Sequence, residues 1–129
     1  MISKFSSLDK GSSYFISSAP IVHVVGAFYV VGGWSDAPLS TIGRFDMATR
    51  TWSNAGDLVT SRNGHNVIYD GNYLLVVGGN RGSVTPVMAE KCSITNGQVS
   101  CTGQTPQLAA YSYYPELFLV PTGFCAKAL

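Results

Sequence analysis

One pattern occurs twice in this chain: four apolar residues followed by two glycines. The first copy is residues 28–33 (FYVVGG), and the second, 46 positions later, is residues 74–79 (LLVVGG). An unbroken apolar run predicts a buried strand, and the glycines predict that other backbone lies close to its end. Because the pattern recurs at a fixed period, we expect an array of similar units of about 45 residues.

The residues around each copy predict four strands per unit, lettered a to d in chain order. They are residues 21–25, 27–33, 41–46 and 50–54 in the first unit and residues 66–69, 73–79, 87–95 and 98–102 in the second. Short β-rich segments separated by Gly, Asp-Gly or Asn-Gly turns are typical of antiparallel hairpins. Each unit is therefore predicted to be a four-stranded antiparallel sheet.

Both ends of the chain are predicted to be half units. Residues 117–120 (LFLV) lie 43 positions after residues 74–77, but Pro121 and Thr122 replace the glycines, so a third unit is expected to stop at its strand b. Residues 2–7 and 12–16 predict the c–d hairpin of a preceding unit. The predicted organisation is a half unit, two full units and a half unit, with boundaries at residues 1–18, 19–63, 64–106 and 107–129.

These units resemble kelch repeats, the blades of kelch-type β-propellers. The pairs Gly32-Gly33 and Gly78-Gly79 match the diglycine of that family; residues 44–52 (RFDMATRTW) are similar to its aromatic-Asp-turn-Trp hairpin, and residues 61–65 (SRNGH) to its Arg-x-x-His segment. The resemblance spans about residues 19–120. It implies an all-β fold, a propeller fragment of two full four-stranded blades and two half blades, in which Trp52 packs between blades.

Cys92 and Cys101 are predicted to form a disulfide. A two-residue turn at Asn96-Gly97 places them opposite each other in a non-hydrogen-bonded pair, with Cα atoms ~4.5 Å apart. The bridge would occupy the position that Phe45 and Trp52 hold in the first unit. Two buried thiols and a metal site are the alternatives. A disulfide would indicate an oxidising, extracellular or secretory compartment, although the chain shows no signal-peptide pattern, and Cys125 would be left over.

Charge argues against several classes of partner. The net charge is +1, charged residues make up 12% of the chain, and its Lys and Arg residues form no run. We therefore expect no nucleic-acid partner and no membrane insertion. His23 and His65 are interpreted as structural, and no motif of a catalytic or metal site is present. The sequence predicts no catalytic residue, metal or cofactor.

Binding is expected at the end of the sheets where the d–a and b–c loops meet, because longer loops usually carry binding residues. The candidates are Trp34, Ser35, Asp36, Asn80, Arg81 and Ser83, beside the segment 54–63. The resemblance implies a non-catalytic module that binds a protein or a glycan within a longer propeller, with self-association as another way to complete the ring. The alternative is a fragment of a propeller enzyme, galactose-oxidase-like or hydrolase-like, whose catalytic residues lie in missing blades.

Overall fold

The structure, a computed structural model, describes residues 2–6, 13–80, 89–103 and 115–120. All regular elements within these residues are strands: β1 Ile2–Ser6, β2 Ser13–Ser17, β3 Ile21–Val24, β4 Ala27–Ser35, β5 Ala37–Asp46, β6 Thr51–Tyr69, β7 Tyr73–Asn80, β8 Glu90–Thr95 and β9 Gln98–Gly103. The hydrogen-bonded order is β1-β2-β4-β5-β6-β7-β8-β9, with β3 also paired to β4, and the strand pairs are antiparallel. The predicted all-β fold is confirmed.

Strand β6 joins the two repeat units. Its first part pairs with β5 as strand d of the first unit, and residues 63–69 pair with β7 as strand a of the second. The chain reverses direction between these two parts of β6, because the start of β5 and the end of β7 lie at the same end of the sheets. We call this the crossover end. The opposite end, where Met47 donates its backbone N–H to the Gly26 carbonyl at 3.0 Å, is the turn end.

Two segments that the sequence predicts as loops are strands instead. The loop expected at residues 34–40 is reduced to a single bend at Asp36, because β4 continues to Ser35 and β5 begins at Ala37. The segment 54–63 lies inside β6. Polar residues suggested loops at both places, but backbone pairing to β5 and the burial of Ala55 and Leu58 hold the second segment extended.

The two segments predicted as half units differ. At the start of the chain, β1 and β2 form the expected antiparallel hairpin, with Ile2 opposite Ser17 and Ser6 opposite Ser13. At the other end, the strand predicted at residues 117–120 is not observed, and Phe118 is 79% exposed. Among the described residues no strand pairs with this segment, so its apolar pattern alone does not make it a strand.

The core shows how the two units stack. Alternate residues of a strand face opposite sides of its sheet. Tyr29 and Val31 of β4 share a buried cluster with Leu74 and Val76 of β7, whereas Val30 packs on the other side of the first sheet with Ala19. By the 46-residue period, Val76 corresponds to Val30, so one face of the first unit packs against the opposite face of the second. Such face-to-back stacking is how propeller blades bury both faces.

The predicted disulfide is present and occupies the predicted place. Cys92 pairs with Cys101 across β8 and β9, with an S–S distance of 2.04 Å and a Cα–Cα distance of 4.0 Å. In the first unit, Phe45 pairs in the same way with Trp52, and their ring centroids are 5.1 Å apart. Trp52 is half-buried and packs beside the cluster of Ala19 and Val30. A covalent link thus replaces an aromatic contact in the second unit.

The first glycine of the first pair makes room for the second unit. Gly32 has a φ of +60°, and a Cβ added there would lie 2.9 Å from His65 Cε1, 3.0 Å from the Arg62 carbonyl oxygen and 3.1 Å from Leu58 Cδ1. All three neighbours belong to β6, where it crosses between units. The close backbone approach that the sequence predicts is confirmed, and the crossing strand is what approaches.

We expect Gly32→Ala to lower the free energy of unfolding by about 2–4 kcal/mol, since it combines a left-handed backbone with close contacts in a packed interior. Gly26→Ala is the matched control, because Gly26 also has a positive φ (+79°) but nothing lies within 4 Å of its added Cβ. Urea unfolding of both variants checks this. Equal losses would show that the space at Gly32 is not needed by the crossing strand.

Candidate functional site

A fully buried ion pair fixes the crossover between the units. Arg62 on β6 and Glu90 on β8 are 0% and 1% exposed, and Arg62 Nη2 donates to Glu90 Oε2 at 2.5 Å. Arg62 Nη1 also donates to the Gly78 carbonyl at 3.2 Å, at the first glycine of the second pair. The guanidinium therefore holds two strands of the second unit.

Glu90 satisfies the backbone of the crossing segment as well. Its Oε1 accepts the N–H of Val59 at 2.6 Å, and its Oε2 accepts the N–H of Thr60 at 3.2 Å. Backbone N–H groups removed from water must find acceptors. One carboxylate thus neutralises the buried charge of Arg62 and keeps the path of β6 fixed where it leaves the first unit.

His65 links the units three residues further on. Its Nε2 lies 2.8 Å from the Val31 carbonyl, so Nε2 carries the proton and donates to β4 of the first unit. The residue is 4% exposed, and its Nδ1 is buried with no hydrogen-bond partner among the described residues. Burial, together with the positive charge of Arg62, lowers the pKa of His65 to about 4 against a weaker opposing effect of the Val31 bond.

This pKa predicts an acid-sensitive fold. The unfolded chain binds a proton at His65 below pH 6.5 and the folded protein only below about pH 4, so stability is full above pH 6.5 and falls between these values. At about 1.4 kcal/mol per pKa unit, the loss by pH 4 is about 3 kcal/mol. Denaturant unfolding at pH 7, 5.5 and 4 measures it. The variant His65→Gln, which does not titrate, should show a much smaller loss, and an equal loss would contradict this assignment.

A cavity of about 310 Å³ opens at the crossover end. It is lined by Ser18, Ala19, Pro20, His65, Asn66, Pro115 and Glu116. The lining thus comes from the start of strand a in both units and from the segment 115–116, which is attached by a 2.9 Å hydrogen bond from Asn66 Nδ2 to the Pro115 carbonyl. Ser18 adopts a φ of +54°, an uncommon backbone conformation for a residue other than glycine.

The structure shows some of the candidate binding residues of the first unit close to this cavity. Trp34 pairs with Ser17, the residue before Ser18, and its side chain is 39% exposed. Ser35 is half-buried, and Asp36 is exposed at the tip of the β4–β5 hairpin with a φ of +61°. The hairpin tip therefore extends beyond the cavity at the same end of the first sheet.

The candidates of the second unit can be placed only in part. Asn80 ends β7, where it pairs with Asn63 at the crossover end, as Trp34 pairs with Ser17 in the first unit. Arg81 and Ser83 lie outside the described residues. The binding role of all six candidates stays a prediction.

Sequence reasoning missed the cavity and the buried pair. The sequence indicates a structural role for His65 and marks Arg62 only as part of an Arg-x-x-His segment. Glu90 gave no signal, because nothing in a single sequence shows that a carboxylate in a strand faces an arginine 28 residues earlier. Among the described residues no group of three His, Cys, Asp or Glu side chains could hold a metal ion.

Stacked four-stranded units, diglycine strand ends and a long strand shared by two units define a propeller-type repeat protein. The family model of the Kelch motif matches residues 17–58, so the first unit is similar to a kelch repeat. This match confirms the resemblance drawn from the sequence for the first unit. No curated protein matches the chain significantly. Kelch motifs form protein-interaction repeats and are typically non-catalytic.

No helix in the described part of the chain is long and apolar enough to cross a membrane.

Proposed function

We propose that this chain is a protein-interaction module that binds its partner at the crossover end. The observation that carries the proposal is the cavity beside the exposed Trp34, which combines a concave site with an aromatic anchor. Exposed tryptophans are enriched among residues that dominate binding energy at interfaces. The Kelch motif at residues 17–58 supports a protein as the partner.

The two ends of the first unit differ in ways that favour this choice. At the turn end, the hairpin between β5 and β6 is stabilised from within, since Asp46 accepts the N–H groups of Ala48 and Thr49 at 2.9 Å each. At the crossover end, by contrast, the exposed Trp34 lies beside the cavity.

Photo-crosslinking tests the location. A photoreactive phenylalanine analogue is placed at Trp34 in one protein and at Met47 in another, and both are irradiated in an extract of the source cells. Met47 is the matched control because it is 46% exposed but lies at the turn end. We expect a discrete adduct from position 34 that is absent from position 47. Adducts from position 47 alone, or the same set from both, would contradict the proposal.

A further inference from the structure

The polar side chains that line the cavity at the crossover end differ in whether they have hydrogen-bond or ion-pair partners. Asn66 uses both ends of its amide, because its Nδ2 donates to the Pro115 carbonyl and its Oδ1 accepts the N–H of Val67 at 2.8 Å. His65 uses Nε2 on Val31. The exposed carboxylate of Glu116 has no ion-pair partner among the described residues, whereas Nδ1 of His65 is buried.

Most of the remaining wall is apolar, and Ser18 adds one polar residue. Ala19, Pro20 and Pro115 line the cavity between these groups, and proline lacks a backbone N–H that could bind an anion. The nearest buried cation, Arg62, is already neutralised by Glu90. The cavity therefore offers the negative charge of one carboxylate together with a short apolar surface.

From this chemistry we infer that the cavity receives a basic side chain, arginine or lysine, from the bound protein. The methylene groups of such a side chain pack on Ala19, Pro20 and Pro115, while its charged head pairs with Glu116 at the rim. A volume of about 310 Å³ has room for one long side chain. The inference rests on the proposed function and adds the kind of residue that the partner supplies.

A small probe tests this without knowledge of the partner. Acetyl-arginine methylamide is titrated into the ¹⁵N-labelled protein, and backbone amide shifts of the residues that line the cavity are followed by NMR. Acetyl-citrulline methylamide is the matched probe, since it has nearly the same shape and no charge. We expect saturable shifts at Ala19, His65, Asn66 and Glu116, with the arginine probe binding at least fivefold more tightly than the citrulline probe.

Two substitutions test whether the Glu116 carboxylate is what binds the charged probe. Glu116→Gln should reduce the affinity for the arginine probe to that for the citrulline probe, and because the position is exposed the variant should remain folded. Asp57→Asn, which removes an exposed charge that does not line the cavity, should leave the affinity within twofold. Equal binding of both probes, no effect of Glu116→Gln, or no shift at the lining residues would overturn the inference.

These outcomes are separable from the test of the proposed function. An adduct at position 34 combined with no preference for arginine would support the crossover end as the interaction site and would reject only the inference that a basic side chain enters the cavity. Preference for arginine without an adduct at position 34 would leave a cation site and contradict the proposed protein interface around Trp34.

Discussion

Replacing Glu90 with glutamine is expected to lower the free energy of unfolding by about 3–5 kcal/mol, the cost of leaving a buried charge without its partner. The substitution keeps the shape of the side chain but removes the charge that faces Arg62, and both residues are almost wholly buried. It also replaces one acceptor of the Val59 and Thr60 N–H groups by a donor. Since a domain is stable by only about 5–15 kcal/mol, the variant should unfold at markedly lower urea concentration.

A double-mutant cycle separates the ion pair from the other effects. Arg62→Met removes the cation and keeps much of its apolar volume, so it should also destabilise strongly, because Glu90 is then left charged and buried. The loss of stability in the double variant should be smaller than the sum of the two single losses by about 0.5–3 kcal/mol. Unfolding followed by tryptophan fluorescence measures all three. Additive losses, or single losses under about 1 kcal/mol, would show that the pair does not hold the crossover together.

Loss of the Cys92–Cys101 disulfide is also expected to destabilise the fold strongly. Opening a closed loop of about ten residues costs about 2.5–3 kcal/mol through the entropy of the unfolded chain. The second unit depends on this link, because no aromatic pair like Phe45 and Trp52 packs across its outer hairpin. Reduction should therefore loosen β8 and β9 before the first unit.

Hydrogen exchange with and without reductant measures where protection is lost. We expect faster exchange in β8 and β9 on reduction and little change in β4 and β5. Cys101→Ser, examined without reductant, is the control for side effects of the reducing agent and should give the same pattern. Unchanged exchange in β8 and β9 would contradict a stabilising role, as would two alkylated thiols at Cys92 and Cys101 in the unreduced protein.

The strands and the disulfide could be predicted because their signals are local. An Asn-Gly turn fixes the register of β8 and β9, and from that register alone Cys92 faces Cys101. The repeat likewise identifies corresponding positions, which placed the bridge where Phe45 meets Trp52. The glycine pair predicted a close backbone approach, and contacts of Gly32 with β6 confirm it.

Long-range contacts could not be predicted in this way. Glu90 and His65 each bond across a unit boundary, to residues 28 to 34 positions away, and a single sequence carries no register for such pairs. The predicted loops were wrong for a related reason. Trp34, Ser35 and the segment 54–63 read as polar connections, but pairing with β5 makes them strands. The cavity is formed by three separate segments of the chain, so no local sequence pattern predicts it.

The most direct test of the interaction site is the affinity for the protein recovered by crosslinking at position 34. Its dissociation constant is measured by calorimetry with the unmodified chain, with Trp34→Ala and with Met47→Ala. A central tryptophan at an interface is worth about 2 kcal/mol or more, so Trp34→Ala should weaken binding about 30-fold or more, and Met47→Ala should change it less than twofold. Weakening by Met47→Ala with Trp34→Ala unchanged would place the interface at the turn end and contradict the proposed function.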